Sequence, residues 1–192
     1  MYLLRRLKTA IAFLALTAAA AAEDTAIDVQ RSTISVHVGK AGLLSAAGHD
    51  HTIVAPISSG TIRQSAPLSV EFAIATARMT VQPDPKVDAK TQAQIQKDMQ
   101  EMTLDSRTFP EIVFRSTRIG ALAAGEWRVE GDLSLHGVTK PVVLIVRRAG
   151  DAYTAHTTLK QTEFGIKPVS VGGGMIRVKD QLEIDFSIVT RR

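Results

Sequence analysis

Hydrophobic positions along most of the chain recur with a period of two. In SVEFAIA (69–75), Val70, Phe72 and Ile74 alternate with Glu71 and small residues. In EIVFRST (111–117), Ile112 and Phe114 share one face, and Val113 and Arg115 the other. EWRVEG (126–131), DLSLHG (132–137), YTAHTTLK (153–160) and QLEIDFSIV (181–189) alternate in the same way, while PVVLIVRR (141–148) is apolar on both faces as far as Val146. Successive side chains of a strand point to opposite faces, so these runs read as half-buried strands. About eight to ten of them, separated by Gly, Pro and Asp, predict an antiparallel barrel or sandwich.

One stretch breaks this period. Residues 87–104, VDAKTQAQIQKDMQEMTL, lack Gly and Pro and are rich in Gln, Ala, Lys and Met. Ile95, Met99 and Met102 recur at i, i+4 and i+7, a narrow apolar stripe that predicts one amphipathic helix over about 88–102. Asp88, following Pro83 and Pro85, is placed to cap its start. The helix is expected across the barrel mouth or side, its methionines either packed on the core or forming a lipid-facing lid.

The beginning of the chain is different again. Arg5, Arg6 and Lys8 precede an apolar run at 10–22, and the alanines before Glu23 supply an A-x-A cleavage site. These are the parts of a secretory signal peptide over 1–22, leaving a single domain over 23–192 that is exported to the periplasm or secreted. The run is shorter than the roughly 20 residues a membrane span needs, so no permanent span is expected. The chain has no cysteine, so neither a lipidated cysteine nor disulfides contribute, and the core must hold by packing. Cleavage also changes the charge. Of 23 basic and 19 acidic residues, three bases and no acids fall within 1–22, which leaves 20 against 19. A net charge of +1 gives nucleic acid little to bind.

The centre of the chain carries a longer signature. LDSRTFPEIVFRSTRI (104–119) followed by WRVEGDLSLHGVTKPVVLIV (127–146) resembles the YceI family of exported bacterial proteins. Phe109, Pro110, Ile112, Phe114 and Ser116, then Gly131, Leu133, Leu135, Gly137, Val138, Thr139, Lys140 and Pro141, fall in order on that family's pattern. Supporting similarity lies near the start, in IDVQRSTISVHVGKAGLLSAAGH, and late, in TLKQTEFGI (158–166), so that it covers most of 26–190. The resemblance implies a lipocalin-like antiparallel barrel of about eight strands with an inserted helix. It further implies a carrier of a long apolar ligand, such as a polyisoprenoid or quinone, rather than a catalyst. Two departures stand out: the helical insertion is Gln-rich, and QTEFG (161–165) replaces the family's Arg-Ser-Asp-Phe-Gly, removing a positive charge.

An eight-stranded barrel can be filled by its side chains or hold one slender ligand. The bulky aromatics of the mature chain are few, and its other apolar residues are mostly Ala, Val, Ile and Leu, which favours internal space. Burial of about ten methylene equivalents at roughly 0.8 kcal/mol each contributes about 8 kcal/mol, enough for micromolar binding before ordering costs. Phe72, Ile74, Ile112, Phe114, Leu133, Leu135, Ile184 and Phe186 are the expected lining, each equally suited to ordinary packing. The expected partners are therefore a long-chain apolar small molecule and, as an option, a second copy in a homodimer. No cofactor is required beyond a bound isoprenoid or quinone lipid.

Two alternatives remain open. His49 and His51 in SAAGHDHTIV sit two apart and could hold a metal, with His37, His136 or His156 as a third ligand for an enzyme site. Alternatively they shape a loop-to-strand corner. In LHGVTKP (135–141), His136 and Lys140 either meet an anionic head group at the rim or simply form the hairpin. SVGGGMIRVKD (170–180) lacks the lysine and serine of a phosphate-binding loop and reads as a strand connection. Neither G-x-S-x-G nor H-E-x-x-H occurs. The last alternative is an envelope interaction module with a filled barrel.

Overall fold

A computed structural model describes residues 24–42, 50–171 and 175–191. Residues 1–23, 43–49, 172–174 and 192 lie outside the described residues, and with them the expected signal peptide, His49 and the three glycines. The strands are β1 (Asp24–Ala26), β2 (Thr33–Ala41), β3 (His51–Val54), β4 (Ile57–Arg63), β5 (Ser69–Ala75) and β6 (Thr80–Val81). After helix α1 (Ala89–Asp98) come β7 (Glu111–Ala123), β8 (Glu126–Leu135), β9 (Val138–Ala149), β10 (Ala152–Lys160), β11 (Ser170–Val171) and β12 (Ile176–Val189). β3 and β4 form one strand bent at Ala55 and Pro56, and β5 and β6 one strand interrupted by a 3-10 turn at Thr76–Arg78. With those joined, eight antiparallel strands follow one another around a ring, and β12 pairs back onto β2. The result is a barrel, not a sandwich, with one inserted helix.

The ring is not hydrogen-bonded evenly. β9 and β10 exchange bonds only beside their hairpin, from Ala152↔Ala149 to Thr154↔Arg147, and then diverge. The segment after β10, starting with a 3-10 turn at Gln161–Phe164, packs against β9. It buries Phe164 and Ile166 and brings Gly165 beside His136. Closure along this seam is by packing. Elsewhere β1 strengthens the wall: it pairs with β4, while Asp28 N–H donates to Val189 O and Arg191 N–H to Ala26 O, each at 2.8 Å.

Helix α1 begins as its sequence suggests. The Asp88 carboxylate accepts hydrogen bonds from the Lys90 and Thr91 N–H groups, both at 3.0 Å. Its side-chain bond from the Thr91 hydroxyl, with these backbone bonds, holds that carboxyl below its ordinary range. The end departs from expectation. Residues Met99–Thr103 form a π turn, in which Leu104 N–H donates to Met99 O. The wider turn takes Met102 off the apolar stripe, so Met99 is 6% exposed and Met102 77%. The methionines are thus split between core and surface.

The glutamines explain how this helix is held. Gln92, Gln96 and Gln100 recur every four residues and so share one helix face. That face meets β6, the last strand in the pairing order, whose backbone groups on that side lack a strand partner. Gln96 accepts from Val81 N–H at 2.8 Å and donates to Met79 O at 3.0 Å. Gln100 donates to Thr76 O and Met79 O, at 3.0 and 2.9 Å, and Gln92 to Gln82 O at 3.2 Å. Side-chain amides thus take the place of a neighbouring strand.

Inside, aromatic side chains sit against glycine. A Cβ at Gly131 would lie 2.5 Å from Phe114 Cζ and 2.6 Å from Arg115 O. Gly131→Ala therefore forces the Phe114 ring or the β7 backbone to move. The expected loss is about 1–3 kcal/mol, read as a lower urea midpoint at unchanged slope. Gln96→Leu leaves the Val81 N–H without its acceptor in a buried setting, at an expected cost of about 1–3 kcal/mol. Hydrogen exchange should accelerate at the Val81 amide and not at β8.

Candidate functional site

Among the described residues, the inward-facing rows line two apolar cavities. The larger, about 490 Å³, lies toward the end of the barrel that carries α1 and the β8–β9 turn. The smaller, about 280 Å³, lies toward the end formed by the β4–β5, β7–β8 and β9–β10 hairpins. Strand alternation builds both. On β12, Leu182, Ile184, Phe186 and Ile188 point inward while Glu183 and Asp185 point out. On β8, Val129, Leu133 and Leu135 face the interior opposite them.

All eight residues expected from the sequence, Phe72, Ile74, Ile112, Phe114, Leu133, Leu135, Ile184 and Phe186, stand on the wall of the larger cavity. Period-two alternation was sufficient to find them. Other parts of the wall were not foreseen. Met79 and Val81 come from the interrupted strand, Ile95 and Met99 from the helix, and Leu159 and Ile166 from either side of the 3-10 turn. The stripe at 95 and 99 was the one available signal for the helix contribution. Nothing in the local pattern marked the smaller cavity, to which Ile62, Ile119, Trp127 and Val146 contribute.

Polar groups on the larger cavity are sparse and mostly neutral. They include His51, Thr103, Thr157 and the buried Gln161, whose Nε2 donates to Lys179 O at 2.9 Å. The charged side chains among the described lining residues are Asp98 and Glu163, with no Lys or Arg. Gln161 is the residue that the sequence comparison sets in place of the family's arginine, and here it is neutral and buried.

The histidines go to separate places. His51, at the start of β3, is half-buried on the cavity wall, and its sequence neighbour His49 lies outside the described residues. His37 and His156 point outward from β2 and β10 and grip Asp185 on the strand between them. His37 Nε2 lies 2.9 Å from one carboxylate oxygen and His156 Nδ1 2.9 Å from the other. The hydrogen bond from His156, with a second from His37, holds the Asp185 carboxyl below its ordinary range. His136 and Gly137 both have positive φ, 51° and 75°, and form the two-residue hairpin turn, with the His136 ring 4.2 Å from that of Phe109. His51 is thus not joined by any of the three proposed third ligands. Among the described residues no group of three His, Cys, Asp or Glu side chains is placed to hold a metal ion.

Known proteins share this architecture. The structure of BcnA from Burkholderia cenocepacia superposes with a TM-score of 0.62 at 17% identity, covering 86% of this chain and 99% of that one. A polyisoprenoid binding domain from Saccharophagus degradans superposes with a TM-score of 0.57 at 14% identity, covering 86% and 97%. In sequence, a UPF0312 protein of Pseudomonas putida is 34% identical over 95 residues, which is 44% of this chain and 46% of that protein. One from Shewanella denitrificans is 30% identical over 92 residues, 43% and 48% of the two chains. The chain spans about half the length of the curated relatives it matches. The YceI-like domain model matches residues 26–190, the same stretch that forms the barrel, and the chain belongs to that family.

Proposed function

We propose that this protein is a periplasmic or secreted carrier that holds a long apolar molecule, a polyisoprenoid, quinone or similar lipid, inside its barrel without transforming it. The observation that carries this reading is the larger cavity: about 490 Å³, walled mainly by aliphatic and aromatic side chains. That volume is in the range of small-molecule sites, roughly 300–1,000 Å³. Apolar burial alone supplies the affinity a carrier needs, so no reacting group has to be present. Membership of the YceI-like family supports the same reading, as does the similarity in fold to a domain described as polyisoprenoid binding. The signal-peptide pattern at 1–22 supports export.

The wall also selects the head group. The charged residues among the described lining of the larger cavity are Asp98 and the exposed Glu163, and that lining includes no Lys or Arg. A phosphate head would meet like charge, whereas an alcohol or quinone carbonyl could bond to Gln161 or a threonine. The preferred ligand is therefore neutral.

Two measurements test this. Protein purified from a native-like bacterial host, extracted with organic solvent and examined by mass spectrometry, should release a neutral prenyl or quinone lipid. Emptied protein should then bind farnesol at micromolar concentration and farnesyl phosphate at least about tenfold more weakly, the gap narrowing with added salt. Recovery of no lipid together with no binding of either compound would remove the carrier reading. Equal affinity for the two would remove the head-group assignment alone.

A further inference from the structure

Four residues line both cavities: Phe72, Phe114, Leu144 and Phe186. They form a waist across the barrel between the two chambers. Phe72 and Phe114 are cross-strand partners on β5 and β7, with ring centroids 5.4 Å apart. Phe186 reaches from β12 to meet Phe72 edge-on, at a centroid distance of 6.4 Å and an interplanar angle of 61°.

The rings are not equally held. Phe72 and Phe114 are 5% and 2% exposed, and each lies against a glycine on the next strand. A Cβ at Gly60 would come 2.8 Å from Phe72 Cβ, and one at Gly131 only 2.5 Å from Phe114 Cζ. Both are pinned to the wall. Phe186 is only partly buried, and its partner across the ladder on β10 is the small Ala155. It reaches from β12 toward Phe72 and is flanked on β10 by a small side chain.

The chamber beyond the waist differs at its outer rim. Arg63, Gln64 and Arg148 stand where it meets the hairpin end. Arg63 is paired with Asp24, with Nε 2.7 Å from a carboxylate oxygen, and Arg148 Nε donates to Gly150 O. An apolar chain end arriving from that side would have to pass two arginines, whereas the larger cavity offers the longer apolar wall.

We propose that Phe186 sets the chain length of the bound lipid, by closing the larger chamber at the waist so that a tail gains affinity only until it reaches the ring. The inference rests on the carrier reading and names the feature that limits its ligand. Short and medium tails fill the larger chamber and stop. Longer tails leave their surplus methylenes outside the mouth, where they add nothing.

The chain's single tryptophan makes this measurable. Trp127 lines the smaller chamber and not the larger, with its ring 5.8 Å from that of Tyr153. Bromine quenches tryptophan emission on contact, so straight-chain alcohols brominated at the far end, from octanol to octadecanol, report whether the tail tip has crossed the waist. In the native protein, calorimetry should show affinity rising about fourfold per added methylene through the short members and then levelling. Trp127 emission should stay unquenched throughout.

In Phe186→Ala the affinity should keep rising past the native break, and the long members alone should quench Trp127. Phe186→Leu keeps apolar volume but loses the reach to Phe72, and should shift the break in the same direction if the alanine variant does not fold. Quenching in the native protein, a steady rise in affinity across the whole series, or a break unmoved in a folded variant would each overturn the assignment. Failure of the native protein to bind any member would instead overturn the carrier reading, and the assignment with it.

Discussion

An eight-strand ring fixes how far apart its walls can be, and every inward side chain either meets another across the middle or leaves a gap. Most of this molecule's character follows from where that meeting happens. At one level, large rings are placed on opposite walls, and Phe72, Phe114 and Phe186 come together. Gly131 receives the Phe114 ring, and Gly60 leaves room for the base of the Phe72 side chain, so neither collides with the neighbouring strand. Above and below that level the inward residues are mainly Val, Ile and Leu, too short to bridge the diameter. The same constraint thus produces a packed waist and two hollows.

A ring with hollows has less core to hold it, and its edges need attention. A strand with unpaired backbone groups invites pairing with another chain. Here three devices meet that demand. β1 lies beside β4 and bonds to the end of β12. The glutamine face of α1 satisfies the outer side of β6. The segment carrying Phe164 and Ile166 packs along β9 where the ladder opens. The helix therefore has two tasks at once: its amides hold the strand, and Ile95 and Met99 wall the larger chamber.

The alternation of the strands made the fold class and one wall of the cavity legible, because a buried face repeats every second residue whatever the register. Asp88 was legible as a cap because its chemistry is local, needing only the two N–H groups that follow it. The π turn was not, since a narrow stripe at i, i+4 and i+7 fits an ordinary helix equally well, and Met102 was consequently misplaced. The glutamine ladder was visible only as an odd composition, because its backbone partners on and around β6 are 10 to 24 residues away. The second chamber and the waist depend on which inward residues share a level across the barrel. That is a matter of stagger between strands, which a single sequence does not encode locally. The histidines illustrate the converse. His49 and His51 look paired by spacing, but His49 lies outside the described residues; among the described histidines, His37 and His156 share one partner, Asp185, because β12 pairs between β2 and β10.

That placement bears on how the molecule divides its chemistry. The His–Asp–His bridge lies on the solvent side of β2, β12 and β10, one residue out of phase with Ile184 and Phe186 inside. A shift of one residue in β12 would turn Asp185 and Glu183 into the cavity and expel both apolar side chains. The bridge ties β12 to each neighbour in the register that keeps its hydrophobic row inward. Outer-wall polarity and inner-wall dryness are therefore coupled through the same three strands. The polar bridge outside and the apolar row inside favour the same register, and that register makes the interior suited to hydrocarbon.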